Sequence, residues 1–294
     1  CMTTPTSAID IEFLRTWIGK KQQSSDYVCP SGAARISALL DRSESLFVPG
    51  QAISPAWYVM LFTATQPQSQ LGRDGHPRTG AFLPPVPLPR RMFAGRRIDF
   101  YSDLLIGGEI TRKSRISDIK IKQGSSGEMC FVTVRHELYD GKDLALTEEQ
   151  DIVYRGEAPA QGAAPKKKGE KTDEIPAAAL HKDVFIDPTM LFRYSAITFN
   201  AHRIHYDLDY ARNVENYPGL VVNGGLTTLL LWDYAMRSTG KKIKASRSRN
   251  LRPLFVNSTV GLNLAIDERT QSGHAWACNE DGNTVIMIDI EMER

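Results

Sequence analysis

The sequence predicts an α+β protein built from two similar halves, each a buried helix held in a curved antiparallel sheet. Three observations predict it. Apolar residues recur at helical spacing early in each half and alternate later, so helices and strands are segregated along the chain. The segment from Leu226 to Met236 is apolar nearly all round, so it must be wrapped by something larger than one neighbouring helix. Between the two halves lies "GEAPAQGAAPKKKGEKTDEIPAAA", Gly156 to Ala179. It is rich in Pro, Ala and Gly, then charged, with no hydrophobic period, and reads as a solvated linker. The expected boundaries are 8–157 for the first domain, 158–180 for the linker and 181–294 for the second domain.

In the first half, "AIDIEFLRTWIGKK" predicts an amphipathic helix, with Ile11, Leu14 and Ile18 at helical spacing and Trp17 beside them. "SPAWYVMLFTA" predicts a second, with Ser54 as its cap and Pro55 in its first turn. "TQPQSQLGRDGHPRTG", Thr65 to Gly80, is a polar loop. A block of long strands follows. "EITRKSRISDIKIKQGSSGE" ends in a Gly/Ser turn, and "EMCFVTVRHELYDGKDLALTEEQDIVYRG" is a hairpin turning at Asp140-Gly141. In the second half, "KDVFIDPTMLFRYSAIT" is a strand-like entry, and the buried helix lies within "GLVVNGGLTTLLLWDYAMRSTG". Strands are expected in "ASRSRNLRPLFVNS", "TVGLNLAIDERT" and "GHAWACNEDGNTVIMIDIEME", the last with a turn at Asp281-Gly282.

Bulk composition narrows the function. With 294 residues, 41% hydrophobic and 24% charged, the chain suits two ordinary globular domains. A formal net charge of +2 gives no strong field for nucleic acid or an anionic membrane. Cys1, Cys29, Cys130 and Cys278 show no C-x-x-C spacing, so neither a metal cluster nor a disulfide framework is expected, and a cytoplasmic protein is. No basic segment precedes an apolar one near the N-terminus, and no run of about 20 apolar residues occurs, so neither a secretory signal nor a membrane span is expected.

The chemistry concentrates in "ITFNAHRIHYD", Ile197 to Asp207. Asn200, His202, Arg203 and His205 crowd into six residues beside an apolar stretch. A zinc site needs a third and fourth ligand, which the sequence does not place near His202 and His205. A polar loop without function is the bland alternative. Histidine moves protons near neutrality, and asparagine holds a water or a carbonyl oxygen but cannot act as a base. Some twenty residues on, "VVNGGLTT" opens the buried helix. Gly224 and Gly225 there suit either backbone amides aimed at an oxyanion or close packing of helix on sheet. Together the groups suit addition of water across a double bond conjugated to a carbonyl, with no cofactor. No P-loop, no dinucleotide fingerprint and no G-x-S-x-G elbow is present.

"FRYSAITFNAHRIHYD" followed by "YPGLVVNGGLTTLLL" resembles the MaoC-like, hydroxyacyl-thioester dehydratase type 2 branch of the hotdog superfamily. "LPRRMFAGRRIDF" and "FVTVRHELYDGKDLALTEEQDIVYRG" are similar to the N-terminal domain of mesaconyl-C4-CoA and itaconyl-CoA hydratases within it. The resemblance implies a double hotdog fold with one active site per chain, the first domain being non-catalytic and shaping the acyl pocket. It implies hydration of a short branched dicarboxylic acyl-CoA, itaconyl-CoA or mesaconyl-C4-CoA to citramalyl-CoA, in itaconate degradation. Many members hold the water with an Asp and a His five residues apart. Here the His position is His205 and the Asp position is Asn200, a departure that leaves the proton work to His205, assisted by His202. The oxyanion amides map to Gly224 and Gly225. Arg203, Tyr194, Arg90 and Arg91 are the substrate-binding candidates, with Arg96 and Arg97 in the same basic segment. The alternatives are a 3-hydroxyacyl-thioester dehydratase of fatty acyl chains, a thioesterase, or a non-catalytic acyl-CoA binder. The partner is an acyl-CoA, and the chain is a monomer or a homodimer.

Overall fold

The computed structural model describes residues 9–44, 46–124, 127–157 and 177–294. Its strands are β1 (Lys21–Tyr27), β2 (Arg90–Phe100), β3 (Glu109–Gly124), β4 (Gly127–Asp140), β5 (Asp143–Arg155), β6 (Leu180–Ile186), β7 (Ile243–Asn250), β8 (Ser258–Asp267), β9 (Ser272–Cys278) and β10 (Thr284–Met292). They form one sheet in the order β1-β3-β4-β5-β2-β7-β10-β9-β8-β6. Read from the middle outward, the two halves have matching order: β2, β5, β4, β3, β1 on one side, and β7, β10, β9, β8, β6 on the other. This is the double hotdog arrangement. β6 begins at Leu180, the last residue of the expected linker; most of that linker lies outside the described residues.

The helices are α1 (Ile11–Arg15), α2 (Pro30–Leu39), α3 (Pro188–Ile197), α4 (Leu208–Asn213) and α5 (Gly224–Thr239). α5 is the helix the sequence predicts. Leu226, Leu229, Leu231, Trp232 and Ala235 are fully enclosed, and the Trp232 indole N–H donates to Ser246 Oγ on β7 at 2.8 Å. Gly240 ends it in the left-handed region at φ 68°, a conformation glycine adopts without penalty. Its one buried acid, Asp233, accepts from Arg42 Nε at 2.9 Å. That pair ties the helix to the segment after α2.

The first half departs from its expected helices. "AIDIEFLRTWIGKK" is helical only over Ile11–Arg15. Gly19 turns at φ 89° and its N–H joins Ile116 O at 2.8 Å, so the chain leaves the helix and becomes β1. "SPAWYVMLFTA" makes only a six-residue 3-10 helix, Pro55–Met60, with no side-chain cap from Ser54. It occupies the place in the chain order that α5 holds in the second half, so the first half has no full central helix. Neither α2 nor α3 was expected. The cap of α2 is Cys29, whose Sγ accepts from Gly32 N at 3.3 Å, and α3 replaces the strand expected over "KDVFIDPTMLFRYSAIT" from Pro188 on, because Asp187 accepts from Met190 N at 2.7 Å and Pro188 opens the first turn. The β4–β5 turn is formed by Gly141 and Lys142, one residue later than expected, since Asp140 pairs with Asp143. The Gly/Ser turn before β4 lies partly outside the described residues, while the turn between β9 and β10 carries Gly282 at φ 77°. No helix among the described residues is long and apolar enough to cross a membrane.

The halves join where β2 pairs with β7, Gly95 to Asp99 against Arg249 to Ala245. Asn250 Nδ2 donates to Phe93 O at 3.0 Å, and Arg96 N to Ser248 Oγ at 3.3 Å. Gly95 is obligatory here. A Cβ at that position would sit 2.3 Å from Ser248 O, inside any real contact. Gly95→Ala is therefore expected to destabilise the protein by at least about 1 kcal/mol, as steric conflicts in a packed region do, measured as a lowered urea midpoint against wild type.

Candidate active site

The hydrophobic face of α3 carries the chain to the motif. Thr198 ends the helix, its hydroxyl donating to Tyr194 O at 2.9 Å. Phe199 takes the left-handed conformation at φ 47°, which lets Asn200 N reach back to Ser195 O at 2.8 Å. A non-glycine residue in that region carries strain, and it falls directly before the polar cluster. Asn200 Oδ1 then accepts from His202 N at 3.0 Å. Arg203–His205 form a 3-10 turn, and Asp207 caps α4 by accepting from Tyr210 N at 2.9 Å. Each polar residue here is held by a local backbone bond, so the motif is rigid without a long element.

His205 is buried, and its Nδ1 lies 2.7 Å from Val221 O. A carbonyl only accepts, so Nδ1 carries the proton and Nε2 presents a lone pair. Burial pushes the His205 ring down to about 4, which keeps it neutral at pH 7. His202 is also buried and its ring is pushed far down, first by burial and then by the neighbouring His76 and His205. The His202 and His205 rings meet edge to face at 5.3 Å between centroids.

On the other face of His202 lies a residue of the segment expected to be a plain polar loop. The His76 ring packs on His202 with centroids 4.0 Å apart, and His76 Nδ1 is 2.7 Å from Asp74 Oδ2. Asp74 is held down to about 2 despite partial burial, chiefly by the hydrogen bond from His76. Burial lowers His76, and the Asp74 contact offsets part of that. Donor atoms of Asp74, His76 and His202 all lie within 4.8 Å of one another, a set that a divalent ion could bridge and that spacing within the motif could not reveal. The loop is locked in place: Arg203 N donates to Asp74 O at 2.9 Å, and a Cβ on Gly75 would lie 1.8 Å from Ala201 O. Only a glycine lets the two backbones touch.

A cavity of about 1450 Å³ takes in Asn200, His202, His205, His76, Asn223, Gly224, Gly225 and Tyr194. The amides of Gly224 and Gly225 open α5, where helical N–H groups lack intrahelical acceptors. Close packing holds there as well, because a Cβ on Gly225 would be 2.2 Å from Tyr194 Oη. Tyr194 is pushed up to about 12 by burial, so its hydroxyl stays protonated. Asn223, buried before the two glycines, has neither side-chain polar atom hydrogen-bonded. Leaving such groups unmatched costs about 1–3 kcal/mol, and a ligand carbonyl or hydroxyl entering the cavity would relieve it.

The arginines divide sharply. Arg203 bonds Asp207 Oδ2 at 2.7 Å and Arg73 O at 3.2 Å, and Arg90 bonds Glu215 at 2.5 Å and Tyr217 at 3.0 Å; neither lines the cavity. Arg97 bonds Glu149 and Asp151 and does not line it either. Arg91 does line it, with one N–H on Pro77 O at 3.1 Å. Arg96 lines it too and is 9% exposed. Its Nη1 donates to Tyr58 Oη at 2.8 Å, its Nε is 3.4 Å from Glu148, and its guanidinium lies over Phe93 at 4.9 Å and Trp232 at 5.7 Å. The side chains around the cavity include Arg78, Arg91, Arg96, Arg112, Arg155 and Arg252 against only Asp26 and Glu148, so its walls favour an anion.

Comparison with known proteins agrees with this architecture. The family description "hydroxyacyl-thioester dehydratase type 2" matches residues 57–256. A mesaconyl-C(4)-CoA hydratase of Chloroflexus aurantiacus is 43% identical over 240 residues, 81% of this chain and 84% of that protein. A mitochondrial hydroxyacyl-thioester dehydratase type 2 of Schizosaccharomyces pombe is 30% identical over 253 residues, 76% and 80% of the two chains. The crystal structure of a MaoC-like dehydratase from Phytophthora capsici superposes with a TM-score of 0.71 at 13% identity, over 95% of this chain and 96% of that one. A double hotdog protein of Mycobacterium tuberculosis gives 0.61 at 13% identity, over 94% and 96%. The family match over residues 57–256 and the 43% identical relative place this chain in the hydroxyacyl-thioester dehydratase type 2 family, among CoA-thioester hydratases and dehydratases, and its fold is the double hotdog of the MaoC-like structures.

Proposed function

We propose that the protein hydrates a short enoyl-CoA bearing a second carboxylate, converting mesaconyl-C4-CoA or itaconyl-CoA to citramalyl-CoA in itaconate breakdown. His205 Nε2 takes a proton from water as the water oxygen bonds to Cβ. The double-bond electrons move towards the thioester oxygen, which the amides of Gly224 and Gly225 hold. The imidazolium then gives its proton to Cα. Asn200 orients rather than titrates. Of the two substrates, mesaconyl-C4-CoA is conjugated with its thioester and makes use of these donors.

The observation that carries the substrate class is Arg96. It is a buried cation on an aromatic floor, and its charge reaches Tyr194, whose hydroxyl packs on Gly225. A guanidinium lining the cavity in this way suits a carboxylate carried on Cβ, and burial strengthens such a pairing. The cavity's size favours a second reading, a dehydratase of longer 3-hydroxyacyl thioesters.

Loss of enoyl-thioester absorbance with mesaconyl-C4-CoA but not crotonyl-CoA supports the first reading, and the reverse preference rejects it; itaconyl-CoA is followed by mass of the product. His205→Ala is expected to lower kcat by roughly two orders of magnitude, and an unchanged rate removes His205 from the mechanism. Arg96→Met paired with Glu148→Gln, which keeps the site neutral, is expected to raise KM for mesaconyl-C4-CoA by more than about tenfold, as loss of a buried charge-assisted pair does, while sparing crotonyl-CoA. The base must be neutral, and burial holds His205 down to about 4. kcat/KM is therefore expected to stay level from pH 8 to about 5 and to fall only below that, rather than bending at the ordinary histidine value near 6.5.

A further inference from the structure

We propose that Arg112, on β3, is a further substrate-binding residue and that with Arg96 it forms a two-armed carboxylate subsite on the inner face of the first-half sheet. The inference deepens the dicarboxylic acyl-CoA reading and rests on it. In the first half a 3-10 helix of six residues stands where a full helix would cover that face. Across four neighbouring strands the ladder sets Ile98, Glu148, His136 and Ser114 in one row. Glu148, His136 and Ser114 are buried, and Ser114 Oγ lies 2.7 Å from His136 Nδ1. Residues two apart on a strand share a face. Arg96, two before Ile98, and Arg112, two before Ser114, therefore lie on the face of that row, with the strand of Glu148 between theirs. Both arginines and Glu148 line the cavity.

What sets Arg112 apart is the want of a partner. Its guanidinium lies over the Phe62 ring at 4.5 Å, and its Nε is buried without a hydrogen bond. Among the described residues, no acid lies within ion-pair distance of it and none of its side-chain donors is hydrogen-bonded. Two acids act on it from further away, Glu148 and Asp26. Asp26 is committed elsewhere, with Oδ1 accepting from Tyr27 N at 2.8 Å and Oδ2 from Phe62 N at 2.6 Å. Glu148 already faces Arg96 Nε at 3.4 Å. Neighbouring acids outweigh burial at Arg96 and raise it, whereas burial outweighs them at Arg112 and lowers it. An unmatched cation in a cavity wall is costly, and an anion entering the cavity removes the cost. Aromatic support from Phe62 below Arg112 and from Phe93 below Arg96 holds each guanidinium plane, which suits the paired oxygens of a carboxylate. Glu148 offsets one arginine, and the second carboxylate of the acyl group offsets the other. An apolar acyl chain on the same face would leave Arg112 without a partner.

The test is calorimetric binding of succinyl-CoA and butyryl-CoA to the full chain. Neither has a double bond to hydrate, and they differ in carrying a carboxylate or a methyl group on Cβ. Wild type is expected to bind succinyl-CoA more than about tenfold tighter than butyryl-CoA, the scale of a hydrogen bond to a charged group. Arg112→Met is expected to cut that ratio by about tenfold, and Arg112→Lys, which keeps the charge but not the fork, to recover part of it. The thermal midpoint of Arg112→Met is expected to stay within a few degrees of wild type, because the side chain makes no hydrogen bond to lose. A wild-type preference for succinyl-CoA that Arg112→Met leaves within about twofold overturns the role of Arg112 and leaves the dicarboxylic reading standing on Arg96. A wild type that binds the two thioesters alike overturns both. An Arg112→Met variant that weakens both thioesters equally assigns Arg112 to the CoA portion and overturns the subsite. Should Arg112→Met fail to fold, Arg112→Gln decides by the same ratio.

Discussion

The pairing of β2 with β7 is the constraint on which the rest of the structure depends. It makes one ten-stranded sheet of two hotdog halves. Because it is a backbone ladder, it fixes the register between the halves to one residue. Gly95 allows the approach, and Arg96, its neighbour, is thereby aimed into the cavity while Arg97 pairs with Glu149 and Asp151 instead. A slip of one residue would exchange these two side chains. It would replace the buried cation by one already committed to two acids. The ladder also sets the distance across which Asp74 and His76 reach the motif of the second half. Register at the seam, burial of Arg96 and assembly of the histidine row are thus consequences of one set of backbone hydrogen bonds.

The loss of regular structure in the first half is a second consequence of duplication. Where the second half packs α5 with Leu226, Leu229, Leu231 and Trp232 fully enclosed, the first half packs a six-residue 3-10 turn. A turn of that length cannot fill the concavity of a five-stranded sheet. Tyr58, Leu61 and Phe62, in and after the turn, line the cavity together with residues of the second half. Space in one half and an uncapped helix end in the other lie side by side.

Legibility from sequence followed the range of the interactions. α5 was visible because a helix apolar on every face is stable only when it is enclosed, and β4 with β5 because a Gly turn between alternating runs is a local signal. The motif and Gly224-Gly225 were visible for the same reason: their chemistry is contiguous. The 3-10 turn was not, since "SPAWYVMLFTA" carries the same cap and proline signals as a helix, and what stops it is the geometry of the sheet around it. α2 was missed because its cap is a cysteine, a weak capping residue. Neither Asp74 nor His76 was legible, because their importance lies in a contact with residues more than a hundred positions away. The one available signal was Asp-Gly-His, the single acid and the single histidine of the loop from Thr65 to Gly80. Nor could sequence choose among Arg90, Arg91, Arg96 and Arg97, where strand register decides which of them meets an acid and which meets the cavity.

The electrostatics of the cavity reconcile two demands that oppose each other. In the proposed reaction, a developing enolate and the second carboxylate of the acyl group both call for positive surroundings, and six arginines line the cavity against two acids. A general base needs a free lone pair, and positive surroundings help there too, since they disfavour protonation of a buried histidine. The same field then works against the step in which the base holds a proton. Asp74 lies behind the His76 ring, and the hydrogen bond it receives from His76 keeps it ionised. An acid at the position of Asn200 would put a negative charge next to the carboxylate of the proposed substrate. Placing it at Asp74 separates the two anions by the stacked rings of His76 and His202. An asparagine in the motif and an acid in the other half are, by this logic, two parts of one arrangement suited to a negatively charged acyl group.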